Sequence, residues 1–304
     1  MTGQNLLINC TNGDRIMITV LIIIIIVLHT FSTTVLIRDL RSHWPALLKE
    51  PGSIFIQAPF SFVMYFISAF GISDFAISTA VYHKVGWAEL RKLPGTLNAQ
   101  TTLPVMVFSI AYLITVEVDL STLLPLLIVF VLGAFLSPMV AVRLPVRRIR
   151  QILAFGLLLA ASTILATKLG LLQMGGQAIS LHGFKMAIAI VCFFLIGALK
   201  AMGVSSYPLT MITTFFLGLH PLISYPIMMG GGALAAPLVL VRYIKLDSYM
   251  RKVTLLAATA GVAGGAIAAF IVKSMNTSLL QWLVVAVAFY AAIDILLDLR
   301  REKH

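Results

Sequence analysis

Apolar residues fall in long runs, bounded by charge and by Gly/Pro punctuation, at about 16–37, 54–86, 95–116, 121–142, 150–169, 183–218, 222–243, 251–272 and 278–298. Most of these runs approach the roughly 20 residues that an α-helix needs to cross the hydrocarbon core. They predict an all-α polytopic membrane protein. Two runs depart from the pattern. The stretches 54–86 and 183–218 are too long for one helix and too short for two comfortable crossings. Small residues interrupt each, at Gly71-Ile72-Ser73 and at Gly203-Val204-Ser205-Ser206. The second arms, about 74–86 and 207–218, hold only 12 or 13 residues, which suits a re-entrant half-helix better than a span.

Composition agrees. Of 304 residues, 60% are hydrophobic and 11% charged, and the mean hydropathy is +1.02. Soluble domains carry roughly a quarter charged residues, so a soluble surface could not be covered here. The net charge of +11 raises the question of nucleic acid, but the basic residues lie in short clusters between apolar runs rather than on one solvated face. Cys10 and Cys192 share no motif, which implies neither a disulfide framework nor a metal site, and no cofactor is expected.

The clusters orient the chain. With each broken run read as a hairpin, 17 Lys and Arg residues fall on one side, among them Arg38, Arg41, Lys92, Arg143, Arg147, Arg242, Lys252 and Arg300. Arg15, Lys168, Lys185 and Lys273 fall on the other. Positive charge marks the cytoplasmic face, so the N-terminus is expected outside and the C-terminus in the cytoplasm. The run at 16–37 has a single upstream cation and no small-residue cleavage site, and reads as a retained helix rather than a signal peptide.

Sliding the chain on itself by 132 residues aligns the two breaks. Gly71 meets Gly203, Ser73 meets Ser205, Gly86 meets Gly218 and Pro94 meets Pro226. These are the residues that mark backbone interruptions. Each half then reads as a broken re-entrant helical hairpin plus three transmembrane helices, and an odd number of crossings inverts the second half. The organisation expected is an outside tail at 1–15, one extra transmembrane helix at 16–37, inverted repeats at 54–169 and 183–298, and a cytoplasmic tail at 299–304. Inverted repeats with interrupted helices are a sequence signature of secondary transporters.

The two repeat openings, "FISAFGISDFAISTAVYHKVGWAELRKLPGTLNAQ" and "GALKAMGVSSYPLTMITTFFLGLHPLISYPIMMGGG", resemble those of the sulfite exporter TauE/SafE family. So do the Gly-containing spans with a basic end that follow, "LGAFLSPMVAVRLPVRRIRQIL" and "AGVAGGAIAAFIVK". The resemblance covers about residues 54–298, with the helix at 16–37 an addition. The chain departs from the family's glycine-rich first break, having Gly71-Ile72-Ser73-Asp74-Phe75 there. The resemblance implies passage of sulfite or an organosulfonate across the cytoplasmic membrane, in the direction of export.

The residues themselves also suit an anion. A half-helix starting just after Gly71 or Gly203 would point free amides and its positive dipole end at the bilayer midplane. Ser73, Ser205 and Ser206 would add hydroxyl donors, unless these small residues only let helices pack closely. Lys200 on the first arm of the second hairpin would lie near the bilayer centre, where an ammonium needs a partner. Either the substrate supplies one or the side chain snorkels to the surface. Asp74 reads as the N-cap of its half-helix, or as a partner of Lys200, or as a proton carrier. Asn98 and Thr101 share a face of the next helix and would line the pathway or bond between helices.

The expected function is therefore transport of a small anion by alternating access, with the lipid bilayer as the other partner. A drug/metabolite-type carrier is the second transporter reading and would need ten full crossings. An intramembrane enzyme is disfavoured by the lack of any recognisable catalytic motif. The sequence leaves open whether the protein forms a homodimer.

Overall fold

A computed structural model describes residues 12–70, 72–89, 91–116, 118–141, 176 and 178–274, with Ser162, Leu165, Trp282, Ala286, Phe289 and Ile293 besides. The spans expected at 150–169 and 278–298 lie outside these residues but for those six positions, and the cluster from Arg143 to Arg150, Gly71 and both tails lie outside them, apart from Asn12–Arg15 at the end of the first.

The described residues are helical between short connections. The helices are α1 (Asn12–Ser42), α2 (Trp44–Lys49), α3 (Ile54–Ser68), α4 (Asp74–Lys84), α5 (Leu93–Thr115), α6 (Leu120–Ala141), α7 (Gly183–Ala201), α8 (Tyr207–Phe216) and α9 (Ser224–Lys245). They are followed by α10 (Arg251–Leu256), which continues through a π-helical turn at Ala257–Gly261 into α11 (Val262–Ser274). Six helical segments among the described residues are long and apolar enough to cross a membrane. The chain is a multi-pass membrane protein. Its surface bears this out: Phe55, Phe135, Phe184 and Phe270 are exposed, while Gln57, Ser61, Asn98 and Gln100 are buried. Side chains that water would reward are turned inward, as a hydrocarbon solvent requires.

Both long runs break where small residues interrupt them. After α3 the chain folds back into α4: Ser78 on α4 donates its hydroxyl to Met64 Sδ on α3 at 2.9 Å, and Trp87 beyond α4 stacks edge-on with Phe60 near the start of α3. After α7 it folds back into α8, where Lys185 in the first turn of α7 donates to the carbonyl of Leu217 at 3.1 Å. Each short arm ends in the same way. Gly86 and Gly218 take positive φ (67° and 86°), and the next amide closes the turn, Trp87 N–H to Tyr82 O and Leu219 N–H to Thr214 O. A left-handed glycine is what lets a helix stop with its last carbonyls satisfied.

The core is built by close approach of backbones. Helices α6 and α7 run against each other, and a Cβ on Gly133 would lie 1.9 Å from Phe194 O, while one on Gly197 would lie 1.9 Å from Phe130 O. Small residues allow van der Waals contact that lipid cannot replace. Gly133→Ala and Gly197→Ala are each expected to destabilise by at least about 1–3 kcal/mol, the cost of overpacking, read as a lowered midpoint of thermal unfolding in detergent.

Helix α1 extends past the expected end at residue 37 because its last turn is held. Asp39 accepts two bonds from the Arg251 guanidinium, at 2.8 and 3.3 Å, and a 2.5 Å bond from the Tyr249 hydroxyl. Arg251 also donates to Asp247 at 2.7 Å. Burial and the Asp39 carboxylate push the Tyr249 hydroxyl well above the ordinary phenol range, so it stays a donor. Beyond the short helix α2, Glu50 turns its carboxylate onto the start of α10 and accepts the amides of Arg251 and Lys252 at 3.0 and 2.7 Å. This is an anion at a helix N-terminus. In return, Lys252 donates its ammonium to the carbonyls of Leu48, Glu50 and Gly52. Nearer the start of α1, His29 sits between the carbonyls of Ile25 and Thr102, at 2.8 and 3.1 Å.

Candidate functional site

The residues singled out by the sequence gather between the two breaks. Helix α4 starts at Asp74, and the amide of Ile77 donates to Ser73 O at 3.2 Å. Ser73 therefore holds the capping position, and Asp74 is the first helical residue rather than the N-cap. The physical difference is small, since the Asp74 carboxylate still takes the Phe75 amide and faces the Thr101 hydroxyl. Helix α8 starts after Ser206, whose carbonyl accepts the Thr210 amide at 2.9 Å and whose side chain makes no capping bond. Ser205 Oγ accepts the Tyr207 amide at 3.4 Å, and Pro208 has no amide to give. The open cradle of amides expected at each break is thus partly filled, by Asp74 in one half and by Ser205 and Pro208 in the other.

Lys200 occupies the interior. It is 3% exposed and donates to Asn98 Oδ1 at 3.4 Å. Its ammonium lies over the Phe75 ring, 5.4 Å from the centroid, and within electrostatic reach of Asp74. The side chain does not reach the surface. Asn98 fixes this end of α7, since its amide nitrogen donates to Pro94 O at 2.9 Å and to Ala201 O at 3.3 Å. Gly203, at φ +92°, turns the chain beside Pro94, where a Cβ would meet the proline ring at 3.2 Å. Gly232 of α9 leaves room for the lysine stem, a Cβ there lying 3.7 Å from Lys200 Cε.

Around this pair stand polar atoms with nothing to bond. Tyr65 Oη, Ser68 Oγ, Asp74 Oδ2 and Tyr207 Oη are all buried without a hydrogen-bond partner. Tyr65 and Tyr207 face Asp74, and Ser68 lies beside Tyr207, but none of these approaches makes a well-formed bond. Buried polar groups are paired in the great majority of cases, so several orphans in one place call for a ligand or water. The polar positions of α5 have other tasks. Thr96 accepts the Met250 amide at 3.0 Å. Gln100 links the α4 residues Tyr82 and Ser78, at 2.6 and 2.7 Å. Thr102 donates to Asn98 O at 3.0 Å.

The structure thus brings Asp74, Asn98, Thr101 and Lys200 together in one buried region; Ser73 and Ser206 are buried just before α4 and α8, and Gly203 and the half-buried Ser205 lie in the turn between α7 and α8. Tyr65, Ser68, Phe75 and Tyr207 belong to that region and are not legible as single residues. The signal that could have found two of them is the stripe Gln57, Ser61, Tyr65, Ser68 at helical spacing on α3, all of it buried. Chemically the region offers one fixed cation, one carboxylate and several idle hydroxyl donors, a set suited to binding a small acid. No family model, curated protein or solved structure matches this chain.

Proposed function

We propose that this chain is a secondary transporter of a small organic or inorganic oxyanion, held against Lys200 between the two broken runs. The observation that carries the reading is a buried ammonium beside a buried carboxylate that unsatisfied tyrosine hydroxyls face, in the middle of a membrane protein. An ionisable residue at that depth costs roughly 2.5–3.5 kcal/mol or more unless it is used. Tyr65, Tyr207 and Ser68 supply donors that a sulfonate or carboxylate would satisfy.

The transport mechanism we infer is alternating access of two inverted halves. Support comes from the helix ends. The 132-residue shift that pairs Gly86 with Gly218 also carries α4 (Asp74–Lys84) onto α8 (Tyr207–Phe216), and α5 (Leu93–Thr115) onto α9 (Ser224–Lys245), within two residues at each end. It carries the turn bond Trp87–Tyr82 onto Leu219–Thr214. Packing follows suit: α6 lies on α7, and the corresponding α11 lies on α3. The choice of sulfite or an organosulfonate, and of export, rests on the resemblance to the TauE/SafE family. An inside-negative potential would assist expulsion wherever the species carried across keeps a net negative charge.

The test is flux in proteoliposomes across sulfite, thiosulfate, sulfoacetate, taurine and plain carboxylates, with and without an imposed potential. Saturable flux of a sulfur anion is expected, responding to potential wherever the species carried across has a net charge. Flux of carboxylates alone would move the substrate class, and no saturable flux from folded protein would remove the carrier reading.

A further inference from the structure

We propose that Asp74 is the proton site of this transporter, taking up a proton when an oxyanion binds against Lys200 and carrying it across with that anion. This rests on the carrier reading above. Asp74 is 2% exposed; one of its oxygens is served by the Phe75 amide and Thr101, and Oδ2 has no partner at all. A buried carboxylate with an idle oxygen is costly. Among the described residues, the ionisable groups facing it are Tyr65 from α3, Tyr82 of its own helix, Lys200 from α7 and Tyr207 from α8, while α5 contributes the neutral Thr101. Lys200 is the sole cation among these neighbours.

An anion entering this region meets attraction from Lys200 and repulsion from Asp74 at close range, and burial of both groups weakens solvent screening. Protonation of the carboxylate removes the repulsion and turns the idle oxygen into an O–H donor directed at the incoming anion. The proton balance is simple. One H⁺ from the entry side converts the Asp74 carboxylate to the acid, and the same H⁺ leaves to the opposite side when the anion departs. With the anion gone, the ionised Asp74 is again the nearest counter-charge for Lys200. A singly charged anion therefore crosses without net charge movement. This predicts a dependence on the pH gradient and little dependence on potential for a monovalent substrate.

The experiment uses the full chain in proteoliposomes with a pH-sensitive dye in the lumen and labelled isethionate outside, a strong-acid sulfonate with no titratable proton of its own. The expected result is lumenal acidification accompanying isethionate entry, about one proton per anion, and accumulation of isethionate when the outside is made acidic. In Asp74→Asn, proton movement and accumulation driven by the pH gradient are both expected to vanish. Wild-type isethionate flux without acidification would overturn the proposal while leaving the carrier standing, and this measurement needs no variant to fold. Accumulation that survives in Asp74→Asn would overturn it as well. No saturable isethionate exchange in the wild type would count against both this proposal and the sulfonate carrier, which flux of the wider anion panel then separates.

Discussion

Proteoliposomes bearing Lys200→Ala are expected to lose saturable anion exchange at any concentration at which the wild type is half-saturated. Lys200 is the sole cation facing Asp74 among the described residues, and its ammonium is almost fully desolvated. Truncating one member of a buried charged contact costs about 2–5 kcal/mol, which corresponds to at least ~30-fold in affinity. Lys200→Arg is expected to rescue only in part. The guanidinium is broad and planar, and the lysine stem already runs between Phe75 and Gly232. A second effect accompanies the first. Without the ammonium, an ionised Asp74 is left buried with no counter-charge, so the single variant should also unfold at lower temperature. Combining it with Asp74→Asn should return much of the lost stability and none of the transport. A double-mutant cycle of that shape would show that the two residues share one site. Normal exchange by Lys200→Ala would dismiss the site assignment.

The largest purely structural effect should come from Arg251. Its side chain is 6% exposed and holds Asp39, itself 10% exposed, through a bidentate contact. Removing one partner of such a pair leaves the other charge stranded, at a cost of about 3–5 kcal/mol. Arg251→Ala should therefore lower the unfolding midpoint in detergent sharply and loosen α1–α2, exposing the α2 connection to protease. Asp247→Ala is the internal control. That carboxylate is 68% exposed, and its bond to the same guanidinium should contribute less than about 1 kcal/mol. Equal losses in the two variants would mean that α1 is held by its apolar face and not by this network.

Much of this architecture can be read from residue pattern alone, because in a membrane the solvent imposes one length and one sign of surface on every span. The ends of α5, α6, α9 and the α10–α11 segment lie within three residues of the apolar runs that predict them. The positions of the breaks were legible for the same reason: glycine and serine at Gly203 and Ser205 interrupt runs whose total length fits no whole number of crossings. What was not legible is everything decided by a partner distant in sequence. The extension of α1 to Ser42 depends on Arg251, and α2 on the capping of Glu50. The π-helical turn at Ala257–Gly261 has no marker in composition. In the site, Lys200 could be singled out as an isolated charge, whereas Tyr65 and Tyr207 look like ordinary aromatic residues of apolar helices. Their distinction is that their buried hydroxyls have no hydrogen-bond partner, and only the assembled bundle reveals that.

The reciprocal fastening of Glu50 and Lys252 also has a history in time. Glu50 and the Arg251 amide it accepts are 201 residues apart. At a synthesis rate of roughly 5–20 residues per second, the N-terminal helix waits on the order of 10–40 s for its partners to leave the ribosome. Through that interval Asp39 and Glu50 lack Arg251 and Lys252, and α1 has only lipid on the flank that α9 will later cover. The first helix to be made is therefore among the last to be secured. A nascent chain stalled before residue 251 should leave α1 open to crosslinking with whatever insertion machinery shelters it, and release from that shelter should coincide with the emergence of α10.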